Sequence, residues 1–378
     1  MICGLKIRVH GDEEMKVRDI CAGIADGSHN PPQGIEISDY LMLSSKNIFD
    51  DEITFDDPRY LTQADFEQED RRTKVKEGDV LLTIVGTVGR TAVVDKKMPR
   101  FTLQRSVAVL KPKADICSSR YLMYALQGER THIENSAKGV AQKGIYLNEV
   151  SNIDLRIPAL SEQESIVIRL DKIVSIIHFY QQQLQKLDEL VKSRFVEMFG
   201  EPTINSKNWK RVRFDSLCEN LDGKRRPITS TDREAGPYPY YGASGIVDHV
   251  AGFIFDEDIL LVSEDGANLL ARSTPIAFSV SGKVWVNNHA HVLRFNNFAL
   301  QKYVEYYFSM ISIEDYITGS TQPKLNQAKL NCMMIPLPSD SLQEVFMRFV
   351  AEIDKSKLAV QQSLEKLETL KKSLMQQY

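Results

Sequence analysis

The clearest pattern of apolar and polar positions occurs twice, 180 residues apart. Ile166, Leu170, Ile173, Ile177, Tyr180, Leu184, Leu187, Val191, Arg194 and Met198 follow one another at alternating spacings of four and three. That is a heptad seam, and it predicts a long helix with one buried face. Phe346, Val350, Ile353, Lys357, Val360, Leu364, Leu367, Lys371, Leu374 and Tyr378 repeat it, with two lysines in the seam. Neither stretch contains glycine or proline. Each opens on Ser-x-x-Glu, Ser161 to Glu164 and Ser341 to Glu344, which reads as a capping box. Two such helices in one chain are expected to pair as an antiparallel coiled coil.

Elsewhere the pattern shortens. Residues 79–85, 91–95 and 106–111 read as strands, and 120–127 and 130–137 as short helices. Strands are expected again at 258–263, 283–286 and 291–295, with a helix at 300–310. Residues 139–193 align without a gap on 319–373, pairing Gly139 with Gly319, Pro158 with Pro338 and Gln163-Glu164 with Gln343-Glu344. The chain therefore reads as two tandem units. The fold class expected is α+β: a tandem pseudo-two-fold repeat of two mixed α/β globular heads, with two long helices. The segments are head one at 1–158, first helix 159–199, head two 200–338 and second helix 339–378. Identity fades outside the matching tails, as expected for one fold carrying two different surfaces.

Composition narrows the class. The chain has 378 residues, 43% hydrophobic and 26% charged, an ordinary globular balance. Its 47 basic and 51 acidic side chains give a formal charge of −4, which excludes a protein holding nucleic acid by bulk charge. Local basic clusters remain: Arg71-Arg72-Thr73-Lys74, Lys96-Lys97 with Arg100, and Lys224-Arg225-Arg226, the last near Tyr238, Tyr240 and Tyr241. Five scattered cysteines without a C-x-x-C pair disfavour a disulfide framework and point to a reducing cytoplasm. No apolar run suits a secretory signal or a membrane span, so no membrane partner is expected.

Candidate chemistry mostly fails. Asn30-Pro31-Pro32-Gln33 lacks the aromatic residue that would stack a flipped base in an amino-methyltransferase. Gly86-Thr87-Val88-Gly89 lacks the Lys-Ser/Thr of a phosphate loop and reads as a hairpin turn. His289 and His291 have no third ligand in sight, so no metal is expected. Asp50-Asp51 and Asp56-Asp57 lack the lysine motif of a nuclease and read as solvated acidic loops.

One resemblance covers nearly the whole chain. Head one carries Asp26-Gly27-Ser28-His29-Asn30-Pro31-Pro32, then Gly78-Asp79-Val80-Leu81-Leu82 and Gly86-Thr87-Val88-Gly89-Arg90. Head two carries Tyr240-Tyr241-Gly242-Ala243-Ser244-Gly245-Ile246, Glu264-Asp265-Gly266-Ala267-Asn268 and Asn287-Asn288-His289-Ala290-His291. It then runs through Gly319-Ser320-Thr321-Gln322-Pro323-Lys324-Leu325 to Pro338. This order, twice followed by a long helix, resembles the specificity (S) subunit of type I restriction–modification systems.

The resemblance implies a non-catalytic adaptor. Each head would be a target recognition domain reading one half of a split, asymmetric site in double-stranded DNA. The helices would space the heads and dock modification (methyltransferase) subunits, two copies in all. S-adenosylmethionine belongs to those partners; ATP and Mg²⁺ belong to restriction subunits joining the same assembly. No cofactor is expected in this chain. DNA contacts are expected from His29, Arg90, Gln104 and Arg105 in head one. In head two they are expected from Lys224, Arg225, Tyr241, Ser244, Asn268, His289 and Gln322. Head one departs from the pattern in reading Gly139-Val140-Ala141-Gln142 where head two has Gly-Ser-Thr-Gln, and residues 1–15 match nothing in the second copy. Two rival classes stay open: a self-contained DNA adenine methyltransferase, and a coiled-coil scaffold without a DNA role.

Overall fold

The structure, a computed structural model, describes residues 13–139, 143–319 and 321–377. Most of the unmatched stretch 1–15, the Val140-Ala141-Gln142 departure, Ser320 and the last seam position, Tyr378, lie outside the described residues. The chain divides into two compact units: Met1–Tyr180 with Ser363–Tyr378, and Gln181–Gln362.

In the first unit a four-stranded antiparallel sheet runs Cys21–Asp26, Val107–Pro112, Val80–Thr83, Thr91–Val93. The central strands read Val-Ala-Val-Leu and Val-Leu-Leu-Thr, and both of their faces are buried. One face packs on the helix Ser119–Gly128, through Tyr121, Leu122 and Leu126. The other packs on a second, smaller sheet ordered Arg59–Tyr60, Leu41–Leu43, Phe101–Leu103, whose last two strands are parallel. Gly86–Gly89 turns between the paired strands Val80–Thr83 and Thr91–Val93, as its sequence suggests, with φ +84 at Gly86 and +92 at Gly89.

The second unit repeats this plan. Its main sheet runs Cys218–Asn220, Ala290–Phe295, Ile259–Ser263, Ala277–Val280, and the helix Phe298–Met310 covers it. The second sheet, here also of four strands, runs Gly245–Val250, Ala235–Gly242, Lys283–Val286, Phe255–Asp256, again with one parallel pair. The α+β tandem repeat is thus built as the periodicities indicate.

Both long helices form: Leu160–Phe199 and Asp340–Gln377. At 1.5 Å per residue a helix of 40 residues runs about 60 Å. Part of each seam leaves solvent, and Phe195 and Phe199, off the seam, do so as well. Ile166, Leu170 and Ile173 are buried in the first unit, Val191, Met198, Phe346, Val350 and Val360 in the second. Pairing is antiparallel within each unit. In the second, Asp188 meets Lys357 while Phe195 and Phe199 lie against Phe346, with ring centroids 5.4 and 5.3 Å apart. In the first, Arg156, just ahead of the helix, donates to the Gln377 carbonyl at 3.3 Å.

The helix starts differ from the capping-box expectation. Ser161 and Ser341 sit inside the first turn, and the fixing residue is instead a buried glutamine. Gln163 donates to the carbonyl of Pro158 at 2.8 Å, and Gln343 does the same to Pro338 at 2.8 Å.

Candidate nucleic-acid interface

Both units carry a clasp at one end of the main sheet, in the same register. In the first, Lys138 and Gly144 exchange backbone hydrogen bonds at 2.8 and 3.0 Å. Ile145 N–H then donates to Ile84 O, and Gly86 N–H to Lys143 O. In the second, Thr318 and Lys324 exchange bonds of 2.8 Å, Leu325 N–H donates to Glu264 O, and Gly266 N–H to Pro323 O. Every partner is shifted by 180. The backbone frame is repeated, and the side chains on it are not: Ile84, Val85 and Gly144 face Glu264, Asp265 and Lys324 as counterparts.

In the second unit the clasp gathers most of the expected residues. Ser263 hydroxyl donates to Ala243 O, and Asn287 N–H to Tyr241 O, which draws Tyr241 and Ser244 to the Glu264–Asn268 loop. His289 faces Asp265 at 2.9 Å, and Lys324 faces Glu264 at 3.1 Å. Gln322 and Ser244 are exposed, as is Lys224. Half-buried Tyr241 packs on Phe278 with ring centroids 6.0 Å apart, and burial pushes its hydroxyl pKa up.

Two expected residues are spent internally. Arg225 is 14% exposed; it reaches Glu264 at 2.6 Å and Ala290 O at 2.7 Å, with Asp222 at 3.5 Å. Asn268 accepts from Ser273 and from Thr274 N–H, and donates to Thr274 O, so it pins its own loop. His291, 1% exposed, links Asp222 at 2.6 Å to Leu325 O at 2.8 Å. Asp222, Glu264 and His291 have metal-binding residue types within 4.8 Å of one another, but Arg225 and Lys324 already fill that cluster with positive charge. Burial alone would raise both carboxyls. Hydrogen bonds and charge from His291 and Arg225 outweigh it and hold both below the ordinary carboxylate range.

In the first unit His29, Gln104 and Arg105 share one surface. Ser28 N–H donates to Leu103 O at 2.8 Å and Arg105 N–H to Ser28 O at 2.9 Å. His29 and Arg105 are exposed, Gln104 half-buried. Arg90 follows the Gly86–Gly89 turn and lies over the Phe49 ring, 4.8 Å from its centroid. The acidic pair Asp50-Asp51 is no solvated loop: Asp51 takes both arms of Arg120 at 3.0 and 2.8 Å, and Asp50 pairs with Arg130. Arg120 reaches on to Asp171 of the first long helix at 2.6 Å. These carboxylates fasten a loop to the helix.

The family description "Type I restriction modification DNA specificity domain" matches residues 42–189 and again 206–370. The chain belongs to this family. Among curated relatives, a Haemophilus influenzae protein with a provisional type I specificity-subunit name is 33% identical over 135 residues, 36% of this chain and 34% of that one. The Escherichia coli EcoBI specificity subunit is 26% identical over 193 residues, 49% of this chain and 39% of that one. The matches thus span well under half of these two relatives. The Methanocaldococcus jannaschii MjaVIII specificity subunit is 23% identical over 80% of this chain and 78% of its own. A crystal structure of a type I S subunit from M. genitalium shares the fold, with a TM-score of 0.55 at 14% identity, covering 99% of this chain and 97% of that one.

Within this specificity-domain chain, three polar residues at the two surfaces escape a reading of sequence alone. Asp26, Asp222 and Glu264 each hold cations from other segments. The partners of Asp26 and Glu264 come from as far as 46 and 60 residues away, so no local spacing announces them. Among the described residues, no helix is long and apolar enough to cross a membrane.

Proposed function

We propose that this chain is the sequence-reading subunit of a type I restriction–modification assembly. Each head reads one half of a bipartite, asymmetric duplex site, and the long helices dock two modification subunits. The chain itself supplies recognition rather than catalysis. Methyl transfer from S-adenosylmethionine falls to the modification subunits, and ATP- and Mg²⁺-dependent work to restriction subunits.

One observation carries this reading: an identical backbone clasp bears different side chains in the two heads. Lys138–Gly144 and Thr318–Lys324 close with the same register. Around them the first head presents His29, Gln104 and Arg105, the second Ser244, His289, Gln322 and Lys324. Arg, Gln, Ser and His are side chains that hydrogen-bond base edges, and Lys and Arg neutralise phosphate. A repeated frame with different polar groups suits two unlike half-sites. Repetition in the helices, down to Gln163 and Gln343, suits two copies of one partner.

The test is co-expression of the full chain with a type I modification subunit, then mapping of methylated adenines across the host genome. The reading expects a split motif that disappears when this chain is omitted. A stable complex that leaves the genome unmethylated counts against it.

A further inference from the structure

We infer that Arg72, which the sequence places only in a basic run, is a DNA-contacting residue of the first head, and that buried Asp26 is the positioning residue that aims it. This rests on the reading of the heads as DNA-binding.

Asp26 ends the strand Cys21–Asp26 with its side chain 8% exposed. One carboxylate oxygen faces His29 Nε2 at 2.7 Å, and the other is bonded to Arg72 Nη2. The His29 and Arg72 side chains are 54% and 55% exposed. The negative charge is therefore covered while its partners project to solvent. Next to this pair, Ser28 bridges to Gln104, and Arg105 follows, so Arg72 joins a rim already carrying His29, Gln104 and Arg105.

The second head shows what the same position does when it is turned inward. Ile24 pairs with Leu110 and Leu110 with Val80; Asn220 pairs with Leu293 and Leu293 with Leu260. Two residues on stand Asp26-Gly27 and Asp222-Gly223, in equivalent places. Opposite Asp26 the neighbouring strand carries Ala108; in the second head His291 stands there and fills the space with a ring. Asp222 consequently spends itself on His291 and Arg225, both covered. With only a methyl group at Ala108, Asp26 takes its partners, His29 and Arg72, from the surface instead. Arg72 reaches it from the last turn of the helix Gln63–Thr73.

Arg71, one residue earlier, provides the control. It carries the same charge but lines a separate cavity with Glu67, Lys74, Lys96 and Arg100. The experiment uses the full chain in its modification complex, with duplex DNA carrying the site found by methylation mapping, titrated over a range of salt. Arg72→Ala is expected to weaken binding about tenfold and to reduce the slope of log K against log salt by about one. Arg71→Ala should leave both within about twofold. Asp26→Asn should weaken binding with the slope kept, because the charge remains but is no longer aimed. Equal effects of Arg71→Ala and Arg72→Ala would overturn the inference. So would an Arg72→Ala protein with a lowered melting temperature and unchanged affinity, the mark of a purely structural ion pair. If the wild-type complex binds no duplex, the functional reading itself fails; if it binds and Arg72→Ala matches it, only this inference does.

Discussion

Gln163 and Gln343, 180 residues apart, each donate a side-chain amide to the carbonyl of the proline five residues earlier, at 2.8 Å. Both are fully buried. They tie the last strand of each head to the start of a long helix.

The two glutamines are not equally satisfied. Gln163 also donates to Ile116 O and accepts from Ser118 N–H, whereas the side-chain oxygen of Gln343 has no partner. Gln163→Ala strands more buried groups, so it should cost about 2–3 kcal/mol and Gln343→Ala about 1 kcal/mol. Urea unfolding of the full chain measures the difference.

The twin Asp-Gly pairs give opposite expectations. A methyl group on Gly27 would lie 2.0 Å from Leu103 O and 2.4 Å from Gln104 O, while one on Gly223 meets nothing within 4 Å. Gly27→Ala must push the His29 loop away from Gln104 and Arg105. It should destabilise the first unit and blunt recognition of one half-site. Gly223→Ala should stay within about 0.5 kcal/mol of wild type. Thermal melts and the methylated motif of each variant test both.

Arg225 makes a further prediction because its role is internal. Arg225→Ala leaves Glu264 and Asp222 with less compensation in a covered site and should cost about 3 kcal/mol. DNA binding would fall with it, but in step with unfolding, as circular dichroism of the same sample would show. Lys224→Ala, at an exposed neighbour, should weaken binding with stability unchanged.

The same cluster sets an acid limit. Asp222 and Glu264 are both depressed, from ordinary values of 3.8 and 4.5. A depressed carboxyl contributes fully above its unfolded value and loses that contribution as pH falls through its folded one. The stabilisation is thus complete above about pH 4.5 and disappears progressively below it. Glu264→Gln should flatten this acid limb in urea titrations, with little change in its shape near neutral pH.

Much of this architecture was legible. The heptad seams are local patterns, and both helices form where they lie, but only part of each seam is buried and Phe195 and Phe199 are buried off it. The ungapped alignment covers one side of the clasp, Gly144-Ile145 and Lys324-Leu325, but the partners Ile84, Gly86 and Lys138 lie outside it. Asp26 and Asp222 did not show, because they are 196 residues apart and lie outside the alignment. The internal ties of Arg225 did not show for a related reason. It sits in a basic run that looks solvated, yet its acceptors Glu264 and Ala290 are 39 and 65 residues further on. Ion pairs closed by sheet topology leave no periodic trace. His289 and His291 looked alike in sequence, but one precedes the strand and is exposed, and the other is inside it and covered.

The central claim is that each head specifies its own half of the site. The direct measurement exchanges residues 200–338 for the corresponding head of another specificity subunit, with the modification partner kept, and maps methylated adenines. The account predicts a split motif in which one half changes and the other half stays. An unchanged motif, or one altered in both halves, would contradict it.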